Sequence, residues 1–256
     1  MAIFTFERYE KKYLVTEAQE KRLLDRFLNE RSMELDKYSR GGATYGIYNI
    51  YFDDEHNSVI YSSLMKPKYK EKLRLRAYCF PTTGEETVFL EIKRKIRGIV
   101  TKRRAILPYK AAMDFVCSGI RPQTDSYPVN RMLNEISYFL QRRSVRPKVF
   151  ISYDRIALTD KQDPTLRITF DRNILTCRYD VDLSLGGGGV PLLAPDERLM
   201  EIKFIHAPPK WLCDILTEEK VFMTQFSKYG NEYSRLRGRE FLHLDDRCLI
   251  ERKLTI

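Results

Sequence analysis

The chain has 256 residues, room for one large domain or two small ones, and 43% of them are hydrophobic, enough to build a core and too many for a disordered polymer. Lysine plus arginine exceeds aspartate plus glutamate by 45 − 35, a formal charge of +10, within a charged fraction of 31% that exceeds the usual ~25%. The longest uncharged run, Leu183 to Pro195, contains Gly186 to Gly189 and falls short of the ~20 apolar residues of a membrane-spanning helix, and charges close to Met1 speak against a secretion signal.

Phe4 to Val15 reads as a first strand, with Thr16 as an N-cap for a helix over Glu17 to Asn29, where Leu23, Leu24, Phe27 and Leu28 recur at helical spacing. Strand patterns follow at Ile47 to Asp53, Lys72 to Phe80, Val88 to Lys95 and Ile99 to Leu107, the last two joined around Gly98. Helices are expected over Pro108 to Val116 and Asn130 to Gln141. Strands resume at Lys148 to Leu158, Thr165 to Asp171 and Leu199 to Ile205, with a flexible loop at Gly186 to Gly189 that lacks the Gly-Lys-Ser/Thr ending of a phosphate loop. Helices over Lys210 to Leu216 and Glu219 to Arg237 precede a charged tail to Ile256, and Trp211 and Phe222 are expected to serve helix packing. Strands outnumber helices and do not alternate with them, which excludes a βαβ layout and predicts an antiparallel α+β fold.

Five cysteines without a C-x-x-C pair argue for a reducing compartment, and a cytoplasmic location is expected. Three scattered histidines, His56, His206 and His243, argue against histidine-based hydrolysis or a histidine metal site.

The informative pattern is charge within the strands. Side chains alternate along a strand, so Lys72, Arg74 and Arg76 share a face, as do Arg8, Glu10 and Lys12; Glu91, Lys93 and Lys95; Lys102 and Arg104; Tyr153 and Arg155; Arg167, Thr169 and Asp171; Glu201 and Lys203. A solvated sheet face explains any one row. The rows together are explained by a sheet closed into a barrel with a polar interior, its apolar faces (Leu73 and Leu75, Leu90 and Ile92, Ile168 and Phe170, Met200 and Ile202) covered by helices outside. Arg94, Arg103, Arg142 and Arg143 then fall on the outer surface. A cationic interior is costly unless an anion enters it; guanidinium and ammonium groups suit phosphate chains, and interspersed glutamates suit Mg²⁺ or Mn²⁺.

Phe6-Glu7-Arg8-Tyr9-Glu10-Lys11-Lys12-Tyr13, Lys72-Leu73-Arg74-Leu75-Arg76, Leu90-Glu91-Ile92-Lys93, Leu199-Met200-Glu201-Ile202-Lys203-Phe204 and Phe226-Ser227-Lys228-Tyr229 resemble, in order, the VTC domain, the polyphosphate polymerase branch of the triphosphate tunnel metalloenzymes. The resemblance implies one domain over residues 1–236, an eight-stranded antiparallel β-barrel tunnel with a polar, basic interior flanked by helices, and a charged tail over 237–256. It implies transfer of the γ-phosphate of ATP onto a growing inorganic polyphosphate chain, assisted by Mn²⁺ or Mg²⁺. Carried over by position, Arg74, Arg76, Lys93 and Arg155 hold the reacting triphosphate; Lys12, Lys102, Tyr153, Ser227 and Lys228 bind phosphate; Glu201 binds the metal. Glu10 and Glu91 are as readily partners of neighbouring bases. Some relatives carry lysine where this chain has Gln225, which weakens that end of the Ser227–Lys228 clamp.

Fungal relatives continue into a membrane-spanning bundle; for this chain any membrane association is expected to come from a separate membrane protein. Phosphoryl transfer mainly asks for positioning and charge neutralisation, and a phosphate nucleophile needs no general base, which suits so little histidine. Competing readings are a tunnel triphosphatase or nucleotidyl cyclase, and a non-catalytic module for polyphosphate or inositol phosphates. Nucleic-acid binding fits poorly, because acids alternate with the bases along the strands.

Overall fold

A computed structural model describes residues 9–97 and 99–241, so Arg8, the Gly98 turn and the tail beyond residue 241 lie outside the described residues. Strand β1 (Tyr9–Thr16) runs into helix α1 (Glu17–Asn29) through a capping box: the Gln19 amide donates to Thr16 Oγ1 at 3.2 Å and the Thr16 amide to Gln19 Oε1 at 3.0 Å. Then come β2 (Met33–Leu35), β3 (Tyr45–Asp53), α2 (Ser58–Leu64), β4 (Tyr69–Ala77), β5 (Thr87–Ile96), β6 (Ile99–Pro108), α3 (Tyr109–Ser118) and α4 (Tyr127–Arg142). The second half holds β7 (Arg146–Asp160), β8 (Arg167–Cys177), β9 (Val190–Pro191), β10 (Glu197–Phe204), α5 (Lys210–Glu218), β11 (Met223–Thr224) and α6 (Lys228–Phe241). Gly119, at φ 72°, ends α3 in the left-handed conformation that glycine adopts without penalty.

The helix expected from Glu219 is corrected. Lys220 turns to φ 54°, Met223 and Thr224 pair with Tyr13 and Lys12 of β1, and helix resumes only at Lys228. Phe222, expected to pack in that helix, is 78% exposed. The last helix also runs on to Phe241, through residues read as the start of the tail. Helix α2 had no sequence signal long enough to register: it is seven residues, fixed by the buried Asp53 carboxylate, which accepts the Val59 and Ile60 amides at 2.9 and 3.0 Å.

All strands join one antiparallel sheet in the order β11-β1-β10-β8-β7-β3-β4-β5-β6, with β2 added to β7 and β9 to β8. The expected eight-stranded closed barrel is therefore corrected to an eleven-stranded open sheet: eight long strands plus β2, β9 and β11, with no ladder among the described residues joining β6 to β1 or β11. The sheet nonetheless curls strongly, as twisted strands do. Glu10 on β1 reaches Lys93 Nζ on β5 at 3.3 Å, although these strands stand near opposite ends of the order. Alternation along a strand fixes two faces; closure depends on how many strands pair and how tightly they coil, which alternation does not encode.

The convex face is apolar and roofed. Leu73, Leu75, Leu90 and Ile92 pack beneath α3 and α4 through Phe115, Leu133, Ile136 and Phe139. Ile168, Phe170, Met200 and Ile202 pack beneath α1 and α5 through Leu23, Phe27, Leu212 and Ile215. Fully burying one such side chain is worth roughly 1.5–3 kcal/mol, so these two layers hold the curl in place. Trp211 joins the second layer, edge-on to Phe27 at 6.1 Å, as expected. The concave face is not polar throughout: Ile47, Val149, Ile151, Ile174 and Leu199 pack against Ile60 of α2 and Phe226, Tyr229 and Tyr233 around the start of α6. The remainder of that face carries the bases.

Candidate functional site

Three linked clusters occupy the concave face. In the first, Arg155 on β7 stands opposite Asp171 on β8 and donates from Nε to Oδ1 at 2.6 Å and from Nη2 to Oδ2 at 2.8 Å, a two-pronged pair in which Asp171 is wholly buried. Lys228, the first residue of α6, donates to the same Oδ2. Both cations sit over the Tyr153 ring, Lys228 Nζ at 4.2 Å and Arg155 Cζ at 5.2 Å from its centroid. Arg76 Nη2 donates to the Tyr153 hydroxyl at 2.8 Å while its Nε donates to Asn49 Oδ1 at 3.0 Å. Burial pushes the Tyr153 phenol up, but Arg76, Arg155 and Lys228 outweigh it and bring it down to about 8. Burial likewise raises Asp171, and Arg155 and Lys228 overcome it, to about 2.

The second cluster spans β4, β5 and β6. Buried Glu91 accepts from Arg74 Nε at 3.1 Å and from Lys102 Nζ at 2.9 Å, and Arg74 Nη1 reaches the Tyr51 hydroxyl at 3.3 Å. Burial lowers Lys102 to about 8, Glu91 opposing the shift and Arg74 and Arg76 reinforcing it. The third cluster joins the ends of the sheet. Lys12 Nζ donates to the Phe226 carbonyl at 2.9 Å and stands 3.2 Å from Glu10 and 3.7 Å from Glu201, while Lys203 also pairs with Glu201 and Lys93 with Glu10. Burial raises Glu10, but Lys93 and Lys12 carry it down to about 2; burial lowers Lys12, yet Glu201 and Glu10 lift it above the ordinary lysine value.

Arg74, Arg76, Lys93, Arg155, Lys12, Lys102, Tyr153, Lys228 and Glu201 thus share one concave wall, linked through carboxylates and Tyr153. Ser227 also caps α6: its hydroxyl oxygen accepts the Gly230 amide at 3.2 Å, while its O–H remains a donor beside Lys228. Arg94, Arg103 and Arg143 lie on the outer side as expected, where they pair with Glu71 and Glu135 beneath α4. Glu10 and Glu91 are engaged by bases. A surface cleft of about 290 Å³ lined by Thr82, Tyr109, Lys110 and Asp182 lies against α3 and includes none of these groups.

Asp171 and Lys72 are among the wall residues to which the sequence assigned no role. Asp171 shares a face with Arg167 and Thr169, but its engagement with Arg155 depends on the β7–β8 register. Lys72 has no hydrogen-bond or ion-pair partner among the described residues; it lies 5.8 Å from the Tyr229 ring centroid, and burial, with repulsion from Lys93, Lys70 and Lys12, lowers it to about 7. The only signal for it was its place in the row with Arg74 and Arg76.

For a divalent cation the fit is favourable. Glu10 and Glu201 flank one ammonium, and buried Thr169, opposite Glu201 on β8, has a hydroxyl with no hydrogen-bond partner among the described residues. Among the described residues no group of three or more His, Cys, Asp or Glu gathers at one point, so protein ligands alone do not complete a coordination shell. A hard divalent cation held by one or two carboxylates, with phosphate oxygens supplying the rest, is compatible with this donor set.

A curled antiparallel sheet carries facing bases along its concave wall. The VTC domain model matches residues 7–237, and the chain belongs to that family. Among solved structures, a putative adenylate cyclase from Bacillus halodurans is similar in fold, with TM-score 0.50 and 15% identity over 86% of this chain and 95% of that one. A putative adenylyl cyclase from Hippeastrum, described as having a dominant triphosphatase activity, matches at TM-score 0.47 and 16% identity, over 88% of this chain and 94% of that one. No helix among the described residues is long and apolar enough to cross a membrane.

Proposed function

We propose that this chain is a polyphosphate polymerase, moving the γ-phosphate of ATP onto an inorganic polyphosphate chain lying along the concave wall. One observation carries the reading. Arg74, Arg76, Arg155 and Lys228 converge around Tyr153 and its neighbours, and Arg76 and Lys72 have no carboxylate partner among the described residues. Positive charge placed on a half-buried wall without a protein anion is charge reserved for a ligand, since leaving it unanswered costs several kcal/mol. Membership of the VTC family supports phosphate as that ligand.

In this reading Arg74, Arg76, Lys93 and Arg155 hold the triphosphate in line and neutralise charge on the transferring group, the planar guanidinium groups each taking two oxygens. Asp171 keeps Arg155 and Lys228 at fixed positions before the substrate arrives, so little reorganisation is needed at the moment of transfer. Lys12, Lys102 and Tyr153 line the path of the phosphates. Glu201, with Glu10, would hold Mg²⁺ or Mn²⁺, which would supply charge neutralisation at the phosphates. The acceptor oxygen is already ionised near neutral pH, so no general base is assigned. The apolar patch beside α2 and α6 limits water, which would otherwise compete as acceptor and release orthophosphate.

The test is purified protein with ATP and Mn²⁺ or Mg²⁺, products resolved on a polyacrylamide gel stained for polyphosphate. A ladder is expected. Orthophosphate alone would replace the proposal with a triphosphatase, and unchanged ATP that nonetheless binds would replace it with a polyanion-binding module.

A further inference from the structure

The concave rows change character at one end. Tyr78 is the first residue beyond β4; Phe89, one alternate position before Glu91, stands opposite Arg76 across the β4–β5 ladder; Tyr45 stands opposite Arg155 across the β3–β7 ladder. These rings, with Tyr38, form a continuous chain: Tyr38 to Tyr45 at 5.6 Å, Tyr45 to Tyr78 at 6.3 Å, and Tyr78 edge-on to Phe89 at 5.6 Å between centroids. Cations flank both ends, Lys37 Nζ 4.7 Å from the Tyr38 centroid and Arg104 Cζ 4.9 Å from that of Phe89. Tyr38 is 60% exposed and Tyr78 45%, so the chain is not core packing.

Inorganic phosphate chains gain nothing from ring faces; their oxygens seek cations and N–H donors. A π-surface continuous with a phosphate wall suits a ligand carrying phosphates at one end and a flat heteroaromatic ring at the other. Stacking on aromatic rings, with guanidinium groups beside them, is how proteins hold unpaired bases without reading their sequence. We propose that the Tyr38–Tyr45–Tyr78–Phe89 chain is a stacking subsite for the base of a nucleoside triphosphate whose phosphates lie toward Arg76 and Arg155. The proposal rests on the functional reading above and deepens it. It assigns the donor's base to this end of the wall, selects nucleotides over inorganic triphosphate by stacking, and leaves the base identity weakly discriminated because every base offers a π-face.

Isothermal titration of the full chain with ATP and, separately, with inorganic tripolyphosphate, both with Mg²⁺, tests this in the wild type and in Tyr38→Ala, Tyr78→Ala and Tyr78→Phe. The alanine variants are expected to bind ATP about tenfold more weakly while tripolyphosphate affinity stays within about twofold, and Tyr78→Phe keeps ATP affinity. Retained tripolyphosphate binding doubles as the control for folding. Equal loss of both ligands, no loss of either, or tripolyphosphate binding without ATP binding overturns the stacking subsite and leaves the phosphate wall standing. Failure of the wild type to bind either ligand removes the functional reading and the subsite together.

Discussion

Strands β4, β5 and β6 carry an ion network on each face, built from the same residue types. On the outer face the bases meet carboxylates: Arg94 meets Glu71 and Glu135, Arg103 meets Glu135, and Arg143 lies 3.8 Å from Glu71. On the inner face Arg74 and Lys102 share Glu91, but Arg76 has only Asn49 and Tyr153, and Lys72 has no polar partner among the described residues. The outer network therefore completes itself and ties α4 to the sheet. The inner one is left positive, and that surplus, more than the ion pairs, marks the functional face.

The largest effect is expected where the inner wall does balance its charge. Asp171→Ala takes from buried Arg155 and from Lys228 the carboxylate they share and should cost about 3–5 kcal/mol in urea unfolding. If the cost is below about 1 kcal/mol, the cluster is solvated and the contrast between faces is weaker than drawn. Arg76→Met should lower turnover about 100-fold with little change in unfolding, because the group it loses has no buried carboxylate to strand. Normal turnover in that variant would move the reacting phosphate elsewhere. Glu201→Gln should weaken the dependence of activity on divalent metal, read as a rise in the Mn²⁺ concentration giving half-maximal rate. Glu135→Ala should act in the opposite sense to Arg76→Met, losing about 1–2 kcal/mol of stability while leaving turnover unchanged.

The smallest expected effect is in pH dependence. Lys72, lowered to about 7, faces Lys93 from β5, Lys70 from its own strand, Lys12 from β1, Asp53 from β3 and Tyr229 from α6. An arriving phosphate chain favours its charged form, so the complex holds more protons than the free protein above about pH 7. Tripolyphosphate affinity should then fall as pH rises from about 7 to about 9, with Lys102 and Tyr153, both near 8, adding to the slope in the same direction. Lys72→Met should flatten the lower part of that profile. In the free protein the sign reverses for stability: between about 7 and 10.5 the unfolded lysine holds more protons than the native one, so Lys72 makes folding more favourable as pH rises through that window.

The main elements could be read from the chain. The Thr16 cap, the helix after it and the eight long strands follow from local spacing, and the two faces of each strand follow from alternation. That Arg74 with Arg76, Tyr153 with Arg155, and Lys93, Lys102 and Glu201 with their own rows share strand faces was visible for the same reason, and the VTC motifs assigned those faces to the interior. Helix α2 was not visible, because its seven residues are held by Asp53, a contact from the preceding strand that no periodicity records. The motif pointed to Ser227 as a phosphate ligand but not to its second use, as the cap of α6.

Sequence by itself determined which side chains share a face, because a side-chain period of two leaves a strand only two choices. Tertiary structure alone decided which face became concave, that the sheet curls without closing, and which acid met which base. Those outcomes depend on register between strands distant in the chain and on helices α1, α3, α4 and α5 roofing the apolar side. The coupling of Arg155 to Asp171 and Lys228, and the solitude of Lys72, exist only once β7, β8 and α6 are brought together.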